Sequence, residues 1–110
     1  MELNGRKQDN SFIVEVNGRM DAVTAPAFEK SCQEWIQQGE TRLLVDLKGL
    51  EYMSSAGLRS ILIVGKKLKT AGGGLSFCSL TPNVAHVFSI SNFASMFQVH
   101  DSLEQALGNA

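Results

Sequence analysis

The run "RLLVDL", Arg42 to Leu47, is the feature that most restricts the fold of this chain. It is short, continuously apolar up to its aspartate, and bounded by charged and glycine residues, as expected of a strand buried on both faces. Such a strand belongs in the middle of a sheet that is covered by helices, and the flanking segments supply them.

Upstream, Thr24 is a plausible N-cap with Pro26 in the first turn. Phe28, Cys32, Trp35 and Ile36 then fall at i, i+4, i+7 and i+8 before Gly39. Downstream, Leu58, Ile61, Leu62, Gly65 and Leu68 return at helical spacing from Ser55 to the stop "KTAGGG". That phase predicts Leu58, Ile61, Leu62 and Leu68 against the sheet, with Arg59 and Lys67 outward, and predicts a cost of about 2 to 5 kcal/mol for Leu62→Ala.

The remaining segments complete the alternation. "SFIVEVNGRM" reads as a half-buried strand with Phe12, Val14 and Val16 on one face, and "ELNGRKQD" before it as a hairpin partner. "LSFCSL" is a further buried strand. Thr81 and Pro82 open a short helix through Val84, Val87 and Phe88, and "MFQVH" is a last short strand. Ser102 and Gln105 have capping-box spacing before a terminal helix through Leu103, Ala106 and Leu107. The order β-β-α-β-α-β-α-β-α predicts one α/β domain over residues 1–110, with a mixed, mostly parallel sheet of four to five strands and about four helices.

A net charge of −1, from 10 basic and 11 acidic residues, supplies no global field to hold nucleic acid. No apolar run approaches the roughly 20 residues that span a bilayer, and "MELNGRKQDN" lacks a signal-peptide layout. A cytoplasmic protein, a monomer or weak dimer without membrane insertion, is the expectation. Cys32 and Cys78 lie in apolar stretches with no ligand-like partners, and read as reduced core residues. His86 and His100 are too isolated to suggest a metal site, and no cofactor-binding or catalytic motif is present. Gly72 to Gly74 follow a helix instead of opening one, and Lys66, Lys67 and Lys69 complement the negative end of a helix.

What remains is "EYMSSAGLRSIL", Glu51 to Leu62. Its serines lie after a central strand, where parallel α/β folds meet their ligands and partners. Ser54 or Ser55 as a plain N-cap accounts for a serine there. Yet neither has Glu or Gln three positions on, and Gly57 in the first turn costs close to 1 kcal/mol relative to alanine. A glycine there is expected to leave N–H groups bare and to let another surface approach. A helix N-terminus with an accessible hydroxyl suits a phosphate.

"VDLKGLEYMSSAGLRSIL" resembles the signature of the STAS family, the anti-sigma factor antagonists: a strand ending D-L, a short loop, an aromatic and apolar pair, then D-S-S-G-L or S-S-A-G-L. "VEVNGRMDAVTAPAFE" is similar to the family's strand, G-x-[LM]-D-A and helix, and the likeness extends through "KKLKTAGGGLSFCSLTPNVAHVFSISNFASMF". The resemblance implies a binding module, not an enzyme, that engages an anti-sigma factor serine kinase and so frees a sigma factor. It places the phosphorylated residue at Ser55, with a PP2C-type phosphatase reversing the modification. Ser54 stands where the family often has aspartate. The implied partner surface comprises Asp21, Ser54, Ser55, Ala56, Gly57, Leu58 and Arg59. A second reading of the same resemblance is a subunit that docks on the ATPase of an ABC lipid-transport complex; a phosphate or nucleotide sensor using the same helix N-terminus is a third reading, which gains nothing specific from the sequence.

Overall fold

In a computed structural model, residues 1–108 are described and form one sheet with helices on both faces. The elements are β1 (Glu2–Gln8), β2 (Ser11–Met20), α1 (Ala25–Gln37), β3 (Arg42–Asp46), β4 (Leu50–Met53), α2 (Ser55–Thr70), β5 (Gly74–Cys78), α3 (Pro82–Ile90), α4 (Phe93–Met96), β6 (Gln98–His100) and α5 (Leu103–Gly108). Strands run in the order β1-β2-β3-β5-β6, antiparallel between β1 and β2 and parallel thereafter. β3 is central, and Leu43, Leu44, Val45 and Asp46 are buried on both its faces, as the sequence predicts.

The larger core lies between the sheet and α1 to α4. Phe28 and Cys32 of α1, and Ile61, Val64 and Leu68 of α2, meet Val14, Val16, Val45 and Phe77 of the strands there. Phe77, Phe88, Phe93 and Phe97 form a chain of edge-on and tilted aromatic contacts, 5.0 to 5.6 Å between centroids. On the opposite face α5 covers Ile13, Leu44 and Cys78 with Ala106. This second layer makes β2 buried on both faces at Ile13 instead of half-buried.

Two elements escape the sequence reading. β4 is four residues long with Glu51 and Tyr52 exposed, and its pairing with the end of β2 is interrupted by a bulge at Gly18/Arg19. α4 is a single turn after Asn92, which has φ 68°. The sheet therefore has six strands, and the described residues hold five helices.

The predicted phase of α2 also needs correction at Leu62, which is 39% exposed. The inward stripe is Gly57, Ser60, Ile61, Val64 and Leu68. Ser60 faces α1, its hydroxyl 3.3 Å from Glu29 Oε1, and Gly57 faces the strand ends. Two inward positions held by small, non-apolar residues shift the centre of the stripe away from the one that apolar side chains alone suggest. Arg59 and Lys67 do point outward.

Capping follows the predicted positions more than the predicted bonds. Ser102 Oγ accepts the Gln105 N–H at 3.1 Å, and α2 ends before Gly72, whose φ of 81° suits glycine. Thr81 makes no cap bond; its hydroxyl donates to the Leu50 carbonyl at 2.9 Å and ties α3 to β4.

Both cysteines are buried and free. Burial pushes the Cys32 thiol up to about 12 and the Cys78 thiol up to about 11. Neither is expected to react with iodoacetamide at pH 8 in the native protein, and both are expected to react in urea. Mass-resolved labelling checks this, and native labelling of Cys32 would contradict the burial.

Candidate functional site

The site is assembled by one register. Beyond the bulge, β2 and β4 run parallel, with Arg19 opposite Tyr52 and Met20 opposite Met53. Both strands end on the same side, so Asp21 and Ser54 leave the sheet as neighbours, and the Ser54 N–H donates to the Met20 carbonyl at 2.9 Å. The structure thus brings together the Asp21 loop and the start of α2, 34 positions apart along the chain.

The loop is built around Asp21. Its Oδ1 accepts the N–H groups of Val23 at 3.0 Å and Thr24 at 3.1 Å. Thr24 Oγ1 accepts the Asp21 N–H at 2.9 Å and lies 2.8 Å from the Arg19 carbonyl, to which it donates. Thr24 occupies the position before α1, as predicted, but its hydroxyl closes this loop instead of capping the helix. The N–H groups of Thr24 and then Val23 hold the Asp21 carboxyl below its ordinary value of 3.8.

The sign of the resulting pH dependence is fixed. A carboxylate whose folded pKa is depressed stabilises its surroundings above the unfolded value and loses that contribution as pH falls through the folded one. Acidification below 3.8 is therefore expected to release the amides of Val23 and Thr24, read as lost hydrogen-exchange protection. Asp21→Asn, which keeps the acceptor oxygen but does not titrate, should abolish that acid dependence. Unchanged acid sensitivity in Asp21→Asn would assign it to another group.

At the helix start, Ser54 has extended backbone and Ser55 is the first helical residue. The first helical hydrogen bond runs from the Leu58 N–H to the Ser54 carbonyl at 3.1 Å, so the N–H groups of Ser55, Ala56 and Gly57 precede it. Ser55 is exposed, Arg59 is exposed, and Ala56 and Leu58 are partly buried against the core.

Gly57 is buried, contrary to the expectation that it opens a path for another surface. A Cβ there would stand 3.0 Å from Met53 Cγ and 3.1 Å from Met20 Cγ and Sδ. The glycine lets α2 sit down on the two methionines that end β2 and β4, which fixes the height at which Ser55 emerges.

Ser54 is an N-cap by position alone. Its Oγ is buried without a hydrogen-bond partner, and no side-chain cap bond forms. Ser54→Ala is therefore expected to shift stability by less than about 0.5 kcal/mol, instead of the roughly 1 kcal/mol of a working cap. A urea midpoint lowered by the larger amount would show that the hydroxyl does cap.

Sequence reasoning missed three neighbours. Val23 is 86% exposed at the tip of the Asp21 loop, and Arg19 stacks over Tyr52 at 4.3 Å from the ring centroid. Tyr52 is 40% exposed. These become visible only once β2 and β4 are paired. His86 is exposed on α3 and His100 ends β6, and no metal-ligating cluster occurs among the described residues.

The STAS domain model matches residues 2–106. The chain belongs to the STAS family. The candidate anti-sigma factor antagonist BtrV of Bordetella bronchiseptica is 40% identical over 106 residues, covering 96% of this chain and 91% of that protein. Among solved structures, a candidate anti-sigma factor antagonist of Thermotoga maritima superposes with a TM-score of 0.91 at 21% identity, covering 97% of this chain and 92% of that one. The Bacillus cell fate determinant SpoIIAA does so at 17% identity in two states. Its unphosphorylated form gives a TM-score of 0.85, covering 98% of this chain and 95% of that one. Its phosphorylated form gives 0.77, covering 98% of each. These structural likenesses establish the fold.

Proposed function

We propose that this chain is an anti-sigma factor antagonist, working in the cytoplasm, whose binding to an anti-sigma factor serine kinase is switched off by phosphorylation of Ser55. The observation that carries the reading is an exposed Ser55 hydroxyl at the first position of the 16-residue α2, held beside the braced Asp21 loop. The name of the Bordetella relative and the two phosphorylation states of SpoIIAA support it.

In the forward step Ser55 Oγ attacks the γ-phosphorus of ATP held by the kinase. The new P–O bond forms as the bond to the ADP oxygen breaks, and the hydroxyl proton passes to a base on the kinase. Hydrolysis by a PP2C-type phosphatase returns the hydroxyl and releases inorganic phosphate. This chain provides the acceptor and its setting: the unpaired N–H groups and the positive end of the α2 dipole lower the cost of the added charge. The partner surface then comprises Asp21, Ser54, Ser55, Ala56, Leu58 and Arg59, with Gly57 acting from beneath. Added phosphate brings about −1.5 to −2 charge to a surface that must lose its water against the partner, and so rejects it.

The test is incubation of the purified chain with its co-purifying kinase and ATP, followed by site mapping. One phosphate at Ser55, with loss of the complex, is expected. Phosphate on another residue, or a complex that survives full modification, would refute the switch. Recovery with ABC-transporter subunits in place of a kinase would favour the docking role.

A further inference from the structure

Helix α2 carries more than its first turn to the surface. Ser55, Arg59, Leu62, Lys66 and Lys69 recur at i, i+4, i+7, i+11 and i+14 and are all exposed, so they form one stripe along the solvent side. At 1.5 Å per residue it is about 21 Å long. Lys67 is exposed beside it, and a groove of about 430 Å³ runs between Lys66, Lys67 and Thr70 of α2 and Gln33, Ile36 and Gln37 of α1.

The charge of this face is opposite to that of the rest of the molecule. α2 holds four of the ten basic residues and no acidic one; the other six face eleven acids, a net −5 outside the helix. Among the described residues the ion pairs are Arg6–Glu15 and Lys7–Glu40, and neither involves Arg59, Lys66, Lys67 or Lys69. A macrodipole role accounts for the last turn but not for Arg59, one turn after Ser55.

We infer that the docking surface extends from Ser55 along the whole α2 stripe, and that the partner presents an acidic surface to it with an apolar spot for Leu62. This rests on the kinase reading above, because a kinase that reaches Ser55 already covers the start of the stripe. A second copy of this chain is disfavoured, since a two-fold contact would set like charges against each other. A flat anionic bilayer is disfavoured because the acidic remainder of the surface would meet it too. An acidic partner also explains rejection: phosphate at Ser55 lies one turn from Arg59, partly neutralises the stripe and repels the acids opposite.

The experiment measures association of the full chain with the kinase that phosphorylates it, over a range of ionic strength. Lys66→Glu/Lys69→Glu is expected to slow association about tenfold or more at low salt and to flatten its salt dependence. Lys66→Gln/Lys69→Gln, gentler on the helix, should give a smaller loss in the same direction. Arg6→Glu/Arg42→Glu, the same charge change on the opposite sheet face, should stay within about twofold of wild type. Equal loss in both Glu pairs, or none in either, would overturn the stripe while leaving the kinase reading intact. So would unchanged kinase binding alongside stripe-dependent sedimentation with phosphatidylglycerol vesicles. Failure of any kinase to bind wild type would overturn both.

Discussion

Ser55→Asp is expected to bind the anti-sigma factor kinase at least about tenfold more weakly than wild type, roughly 1.4 kcal/mol. Ser55→Ala should keep wild-type affinity and accept no phosphate. Folding should move the other way. A carboxylate in the first turn of α2 interacts favourably with the helix dipole, by about 0.3 to 1 kcal/mol, and no acid stands there now. The Asp variant should therefore melt at the same or slightly higher temperature while binding less. Opposite movements of stability and affinity separate a charge effect at an interface from damage to the helix. Equal affinities for wild type, Ala and Asp, with no phosphate transferred to wild type, would remove the switch.

The second large effect is in the core. Ile61→Ala is expected to cost about 2 to 5 kcal/mol, because Ile61 is fully buried between α2 and the sheet. Leu62→Ala should cost less than about 1 kcal/mol, because much of that side chain is already in water. Urea unfolding of the two variants gives the ranking directly. A larger loss at Leu62 would place the helix in the phase that apolar spacing alone suggests.

That contrast shows where sequence was legible. β3 was readable because burial on both faces leaves an unbroken apolar run, and α1 and α2 because their stripes persist for several turns between caps and glycines. The interior of α2 was readable only to within one side chain, since Gly57 and Ser60 face inward without apolar character. β4 left almost no trace, as its four residues depend on pairing with a strand more than 30 positions away. The same holds for the site. Ser54 and Ser55 stood out by position, whereas Asp21 joined them only through the resemblance, and its role as the brace of its own loop came from hydrogen bonds that spacing does not encode.

The seating of Gly57 on Met20 and Met53 bears on how the surface could signal. A Cβ at this position would crowd the two methionine side chains at 3.0 to 3.1 Å, and the adjoining loop is already closed by Asp21 and Thr24. Little slack is left for the backbone around Ser55 to rearrange when its hydroxyl is esterified. On the proposed switch, information deposited there would be carried as potential and not as shape, so the two forms of the protein should share one outline and differ in the field their partner meets.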